Sequence, residues 1–348
     1  MRRVTVSLCL LPLAIWTAAA SDYDEQLLRQ QCLNADSLYS EDMNLAYCRV
    51  LAEVTRDDTV AAEALKRMAD IHRAAGIDFL ADEIFDELVE RQPQNLTARR
   101  WRAAFSLEQG RSEKAMADLN RILEEEPESK DAYIGRGLAK AETGDYQGAI
   151  DDVERALAID PDYADAYRTR GDINYYHGYD EKALDDFDTA IDLAPDRADL
   201  RVARADFLRF IGKYARAYLG YKDVVARDPE NVDARFNIGR LDYLIAEAPH
   251  ELLAAAAYLK LVLVQDPRRD TAAFLLANAL SRLEKPTESM KYHRVFLERS
   301  ARFIADYKTF LSQEGYFDGE IDYKADDAFW TAVRACVDEK CRILPSLE

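Results

Sequence analysis

Histidine is scarce in this chain of 348 residues. His72, His177, His250 and His293 are the four present, dispersed and with no metal-ligand spacing among them. No serine lies in a nucleophile elbow, and no glycine loop of the phosphate-cradling kind occurs. The sequence thus offers no catalytic constellation, no metal site and no cofactor site, and the expectation is a protein that is not an enzyme. Acid pairs at Asp151–Asp152 and Asp185–Asp186 could mimic catalytic carboxylates, but a solvated helix face and a nearby arginine explain them. Basic charge is also short: 46 Lys and Arg against 65 Asp and Glu leave a net charge of −19. Such a surface resists nonspecific binding to nucleic acid and to anionic membranes. Beyond residue 20 no run is apolar enough to cross a bilayer.

The start of the chain is different. "MRRVTVSLCLLPLAIWTAAASDYDEQ" has a basic opening, an apolar run, and small residues Ala18 and Ala20 before Ser21. This is the pattern of a secretory signal over residues 1–20, with cleavage after Ala20. Removing it leaves 44 basic against 65 acidic residues, a charge of −21, and no membrane span. The expected destination is the bacterial periplasm. Cleavage also removes Cys9 and leaves Cys32, Cys48, Cys336 and Cys341. Four cysteines in an exported chain point to two disulfides. The pairing Cys32–Cys48 with Cys336–Cys341 closes the shortest loops.

What the chain has in abundance is repetition. Gly76, Gly110, Gly144, Gly178 and Gly212 follow one another at a single constant interval; so do Ala81, Ala115, Ala149, Ala183 and Ala217, and Pro93, Pro127, Pro161, Pro195 and Pro229. Three registers held over five copies mark a stacked repeat. In the clearest copy a helix runs from about Asp131 to Glu142, Gly144 ends it, and a second runs from about Tyr146 until Pro161 blocks it. Small Gly137 and Ala149 allow the two helices to cross closely. Ala132, Ala139, Val153 and Ala156 form an apolar stripe that one hairpin cannot bury alone. A second ladder places Arg102, Arg136 and Arg170 in first helices, each followed in the second helix, at one fixed offset, by Asp118, Asp152 or Asp186. We read it as an Arg–Asp pair within each hairpin. Arg204 continues the arginines, while Gly220 breaks the acids.

"DAYIGRGLAKAETGDYQGAIDDVERALAIDP" resembles the tetratricopeptide repeat. The resemblance covers about two thirds of the chain. It implies an all-α fold: a right-handed superhelical solenoid of stacked helix hairpins, with helical caps at both ends. Units fall at 62–95, 96–129, 130–163, 164–197 and 198–231. A sixth at 232–269 carries four extra residues, and a seventh from Asp270 has Pro286 and no usual glycine. The array spans 62–300, after an N-terminal cap at 21–61 with helices at about 23–33 and 42–55. The family binds ligands along its first helices, on the inside of the curve. Applied to this register, the partner-binding wall collects Arg168, Tyr175, Tyr176, Arg209, Phe210, Asn237, Arg240, Tyr243, Asn278 and Arg282, with Phe236 and Phe274 beside them. Tyr176, Arg209, Arg240 and Tyr243 are expected to be exposed there. Aromatics and arginines dominate binding hot spots, and arginines on an acidic chain favour an acidic or carboxylate-bearing protein or peptide. The earlier units offer a poorer wall, with Glu63, Lys66, Asp70, Ile134, Leu138 and Glu142.

Residues 301–348 leave the repeat pattern. "EGYFDGEID" followed by "TAV" resembles a small peptidoglycan-binding helical domain, matched at Gly315, Tyr316, Gly319, Ile321, Asp322, Ala332 and Val333. Tyr323, Asp326 and Phe329 depart from that pattern. The competing reading is a C-terminal cap in which Phe329 and Trp330 pack on the last repeat. Two functions follow: a scaffold that binds a protein or peptide on the concave face of the array, or a cell-wall-associated protein that binds peptidoglycan. Full pairing of the cysteines predicts no free thiol in the denatured mature protein. Titration of even two thiols per chain refutes it.

Overall fold

The computed structural model describes residues 25–33, 40–299 and 303–340. The signal segment 1–20 and Cys341 lie outside the described residues. Two compact units divide the chain, 1–177 and 178–348. The described residues form eighteen helices and no strand.

In the first unit, α1 (Glu25–Leu33) and α2 (Glu41–Val54) precede α3 (Asp58–Ala74), α4 (Asp78–Arg91), α5 (Leu96–Glu108), α6 (Ser112–Glu125), α7 (Lys130–Glu142), α8 (Tyr146–Ile159) and α9 (Ala164–Tyr176). In the second, α10 (Asp180–Leu193), α11 (Ala198–Phe210), α12 (Tyr214–Arg227), α13 (Val232–Ile245), α14 (Pro249–Gln265), α15 (Asp270–Arg282) and α16 (Pro286–Arg299) precede α17 (Phe303–Gln313) and α18 (Asp327–Asp338).

The hairpin α7–α8 shows why the sequence folds this way. Gly144 takes φ +86°, a left-handed value that glycine adopts without steric cost. The turn then closes through Asp145 N–H donating to Lys140 O at 2.8 Å. Asp145 caps α8 by accepting from Gly148 N–H at 3.0 Å. At the crossing, a Cβ on Gly137 would meet Ala149 O and Val153 Cγ2 at 3.1 Å, so a side chain there would push the closely packed helices or Val153 aside by a few tenths of an ångström. Ile134, Ala149, Val153, Ala156, Ala166 and Ile173 bury the shared stripe.

The arginine ladder is richer than one pair per hairpin. Arg102 of α5 donates from Nε and Nη2 to both Asp118 oxygens on α6, at 2.7 and 2.8 Å. Its third nitrogen, Nη1, reaches back to Asp86 on α4 at 2.9 Å. Arg136 of α7 repeats the geometry: two bonds of 2.8 and 2.7 Å to Asp152 on α8, and a third of 2.8 Å to Asn120 on α6. Each guanidinium thus joins its own hairpin to the preceding one. The broken acid series at Gly220 fits this plan, because Arg204 of α11 pairs backward with Asp188 of α10. Arg170 and Asp186 belong to different units.

The two irregular repeats are regular in form. The seventh builds α15–α16 with the ordinary turn: Glu284 stands at the glycine position, takes φ +58°, and Lys285 N–H donates to Leu280 O at 2.9 Å. Pro286 opens the next helix, where its missing N–H costs nothing. The four extra residues of the sixth repeat enter its helices, which have 14 and 17 residues against 13 and 14 for α7 and α8. Glu251 caps α14 by accepting from Glu247 N–H at 2.7 Å and Ala248 N–H at 3.0 Å.

Both ends are sealed. Cys32 and Cys48 form a disulfide between α1 and α2, buried among Leu28, Leu51, Leu65 and Leu88. Its 16-residue separation corresponds to a stabilisation of about 3 kcal/mol in the chain-entropy account. Cys336 is also disulfide-bonded, and α18 ends at Asp338 with Lys340 at φ +61°. At this end α17 and α18 share one core with the seventh hairpin, through Phe274, Phe296, Tyr307, Phe329 and Val333. Ser281 Oγ of α15 donates to Val337 O at 3.0 Å.

Asp152 is 2% exposed. Burial opposes its ionisation, but hydrogen bonds from Arg136 and Lys140 outweigh it and hold its carboxyl below the usual carboxylate range. Its contribution is therefore complete above the unfolded carboxylate value and is lost as acid lowers the pH through the depressed folded value. Asp152→Ala is predicted to cost about 3 kcal/mol at neutral pH, because it strands two cations, whereas exposed Asp151→Ala changes stability by less than about 0.5 kcal/mol. Urea denaturation of both variants checks this; equal midpoints contradict it.

Candidate binding surface on the first helices

Each first helix buries one face in its hairpin, and α9 and α11 leave positions at their C-terminal ends to solvent. In the first unit α9 carries three of the expected binding residues. Tyr176 is 78% exposed, and its ring lies 4.7 Å from that of half-buried Tyr175. Arg168, two turns earlier, is exposed and faces Asp172 at 3.5 Å. The neighbouring Asn174 is buried and accepts from Tyr146 Oη at 3.0 Å.

In the second unit a polar cluster forms between α11, α12 and α13. Tyr221 on α12 occupies the core position held one and two repeats earlier by Phe187 and Val153. It is fully buried, so its hydroxyl needs an acceptor, and Asp206 on α11 supplies one at 2.6 Å. The same Asp206 oxygen accepts from Asn237 Nδ2 at 3.3 Å and faces Arg209 Nη2 at 3.7 Å. Arg240 lies on α13 one turn after Asn237 and is half-buried. Burial lowers its pKa, and the Arg209 charge lowers it further. Burial raises the Tyr221 pKa, and the Asp206 charge adds to it, so the phenol stays neutral and donates. Phe210, 67% exposed, and Tyr214, 52% exposed, flank the cluster.

Not every expected residue lines a surface: of the four expected to be exposed Tyr176 is, while Arg209 and Arg240 are half-buried. Tyr243 is 2% exposed, packed with Leu252, Leu259, Leu276 and Leu280, so its expected exposure is wrong. Phe236 and Phe274 are core residues as well. Asn237 is buried and engaged by Asp206, and Asn278 is 1% exposed, donating to Phe274 O at 3.2 Å within its own helix. Arg282 donates to Ala246 O at 2.7 Å and so caps the end of α13. Tyr243 is covered in part by Leu252 and Leu259 of the 17-residue α14, whereas Phe274 is covered by Phe296, Tyr307 and Phe329 of the C-terminal helices. Sequence reasoning also missed Asp206 and Tyr221. Their signal was a tyrosine at an apolar register position beside the glycine that breaks the acid ladder.

The C-terminal segment uses its distinctive residues internally. Lys308 is 1% exposed and donates to Asp322 at 2.6 Å and to Glu320 O at 3.3 Å, below the rings of Phe317 and Phe329. Asp322, one of the positions matched to the glycan-binding pattern, is therefore a structural anion. An open groove of about 780 Å³ runs between α16 and α18, lined by Met290, Arg294, Val295, Trp330 and Arg334. Arg294 stacks over Trp330 at 4.7 Å. Among the described residues no cluster of His, Cys, Asp or Glu could hold a metal ion, and no helix is long and apolar enough to cross a membrane.

This architecture of stacked helix hairpins is an α-solenoid. Family profiles described as tetratricopeptide repeat match residues 136–207, and also 80–130 and 107–164. The chain contains tetratricopeptide repeats. No curated protein matches it. Among solved structures it is similar to a tetratricopeptide repeat protein from Parabacteroides merdae ATCC 43184, with 20% identity over 74% of this chain and 98% of that one, at a TM-score of 0.57. It is also similar to yeast Tom70, with 15% identity over 81% of this chain and 61% of that one, at a TM-score of 0.65. Both likenesses are of fold.

The cluster makes Asp206 its keystone. Asp206→Ala removes the acceptor of a buried phenol and the anion beside two arginines, and is predicted to cost about 2 kcal/mol. Adding Arg240→Gln should restore part of that loss by removing the repulsion. Urea denaturation of the single and double variants reads both; a single variant as stable as wild type contradicts the assignment.

Proposed function

We propose that this protein is a non-catalytic scaffold that holds a protein or peptide along its first helices, working in the cell envelope after export through residues 1–20. Tetratricopeptide repeats serve as interaction modules, which supports the general class. The observation that carries this reading is an exposed ring at the end of a first helix in each unit taken by itself, Tyr176 at 78% in the first and Phe210 at 67% in the second. Large aromatic rings left in water are of the residue type enriched in binding hot spots. The export pattern and the paired cysteines support the envelope.

A second reading, attachment to peptidoglycan, draws on the groove beside Trp330. One experiment separates the two. The full chain, a Tyr176→Ser/Phe210→Ser variant and a Trp330→Ala variant are each presented to purified sacculi and to detergent-extracted envelope proteins. The scaffold reading expects partners captured by wild type to be lost from the Tyr176/Phe210 variant at unchanged thermal stability, while Trp330→Ala keeps them. Retention of every partner by the Tyr176/Phe210 variant contradicts it. Sacculus binding abolished by Trp330→Ala favours the second reading.

A further inference from the structure

We propose that a second copy of this chain docks on the solvent face of α14, antiparallel, across a two-fold axis that passes Ala257 and Leu219. The inference is independent of the scaffold reading, which concerns the ends of first helices.

The starting point is a comparison of second helices. Aligned on their buried residues, Ala255, Leu259 and Val262 of α14 stand where Ala183, Phe187 and Ala190 stand in α10. The solvent positions between them then compare directly. In α10 they carry Glu181, Lys182, Asp185, Thr189 and Asp192; in α14 they carry Leu253, Ala254, Ala257, Leu261 and Val264. A polar row has become an apolar one over about three helical turns. Val264 is 78% exposed, Leu253 and Leu261 are about half exposed, and none of the five belongs to the buried core.

The surroundings give this row its limits. The polar side chains beside it are already engaged: Lys222 of α12 donates to Tyr258 Oη at 3.1 Å, and Lys260 donates to Glu288 of α16 at 3.0 Å. On α12 the position that matches Ala257 is Leu219, also exposed. One helix further on either side, the matching positions are Asp185 of α10 and Lys291 of α16. Charge thus bounds an apolar patch shared by α12 and α14, and an exposed apolar patch with a polar rim marks an interaction site.

The row reads the same from both ends, which selects the occupant. Leu253 and Leu261 stand at equal distances before and after Ala257 in the sequence. Further out, exposed Glu247 precedes the helix and exposed Arg268 follows it, at nearly equal distances again. A two-fold axis at Ala257 sets Leu253 against Leu261 of the second copy and Glu247 beside Arg268 of the second copy. It does each twice, as an isologous contact requires. Leu219 meets its own counterpart, and small Ala254 and Ala257 let the two backbones approach. A parallel pairing would instead oppose Glu247 to Glu247. An unrelated partner needs no such mirror relation. A lipid surface fits less well, because an interfacial helix carries Lys or Arg beside its apolar face, whereas Glu247, Glu251 and a Lys260 held by Glu288 stand here. The contact is small against the about 800 Å² per partner of a standard interface, so the expected association is micromolar.

Sedimentation equilibrium of the mature chain from Ser21 onward, across the micromolar range, reads the association. The expected mass rises toward twice that of one chain. Leu261→Glu should weaken association at least about tenfold with an unchanged melting temperature, since the position is exposed. Leu219→Glu, which sets two acids face to face, should do the same. Glu247→Arg should weaken it too, and Glu247→Arg combined with Arg268→Glu should restore it by rebuilding both end pairs. On mild oxidation Ala257→Cys should form a disulfide-linked dimer, and Asp185→Cys, at the same position of α10, should not. A wild-type chain that stays monomeric, a Leu261→Glu chain that associates as tightly as wild type, or equal cross-linking of the two cysteine variants overturns the proposal. A monomeric chain that binds phosphatidylcholine vesicles assigns the row to a lipid surface instead. A dimer indifferent to Glu247→Arg overturns the antiparallel arrangement.

Discussion

A guanidinium held between two second helices is the interaction on which the repeat stack depends. Arg102 ties α5 to α4 and α6, and Arg136 ties α7 to α6 and α8. Small residues at the helix crossings bring backbones close but fix little about register, because alanine and glycine faces slide easily. A bidentate bond fixes register within a hairpin, and the third nitrogen passes it to the hairpin before. The carboxylates involved are buried: Asp118 is 0% exposed and Asp152 2%. Such a pair adds little net stability over an apolar substitute but is costly to break on one side. That asymmetry makes it a device for specifying one arrangement of otherwise similar helices.

The same charge logic explains where the second unit departs from the pattern. Gly220 replaces the ladder acid, so Arg204 turns back to Asp188. Next to Gly220, Tyr221 fills the core position, and its hydroxyl draws Asp206 inward. Arg209 then faces a carboxylate that already serves Tyr221 and Asn237. In the ladder the guanidinium is committed to structure. In this cluster the carboxylate serves a buried phenol and an amide instead of closing a bidentate bridge.

Much of the fold was legible because it rests on backbone chemistry. Glycine at the left-handed turn, proline after the second helix and a period held constant over five copies each state a conformational requirement. Glu284 shows the limit: the turn survives without its glycine because the surrounding hairpin imposes it. The candidate site was less legible. Tyr243 is buried under Leu252 and Leu259 of α14, and Asn237 is drawn to Asp206 of another hairpin, so neither burial is written in its own segment. Lys308 could not be read at all, since its anion, Asp322, and its two rings meet only once α17 and α18 fold together. Side chains whose partners lie in other elements carry no local signal, and binding residues are of that kind.

The most direct measurement of the central claim is native-state hydrogen exchange on Arg136→Met. If this guanidinium couples neighbouring hairpins, amide protection falls in α6 as well as in α8, because the bond to Asn120 is lost together with those to Asp152. Loss of protection confined to α8, with α6 unchanged, would show that the arginine serves its own hairpin alone and would contradict the account.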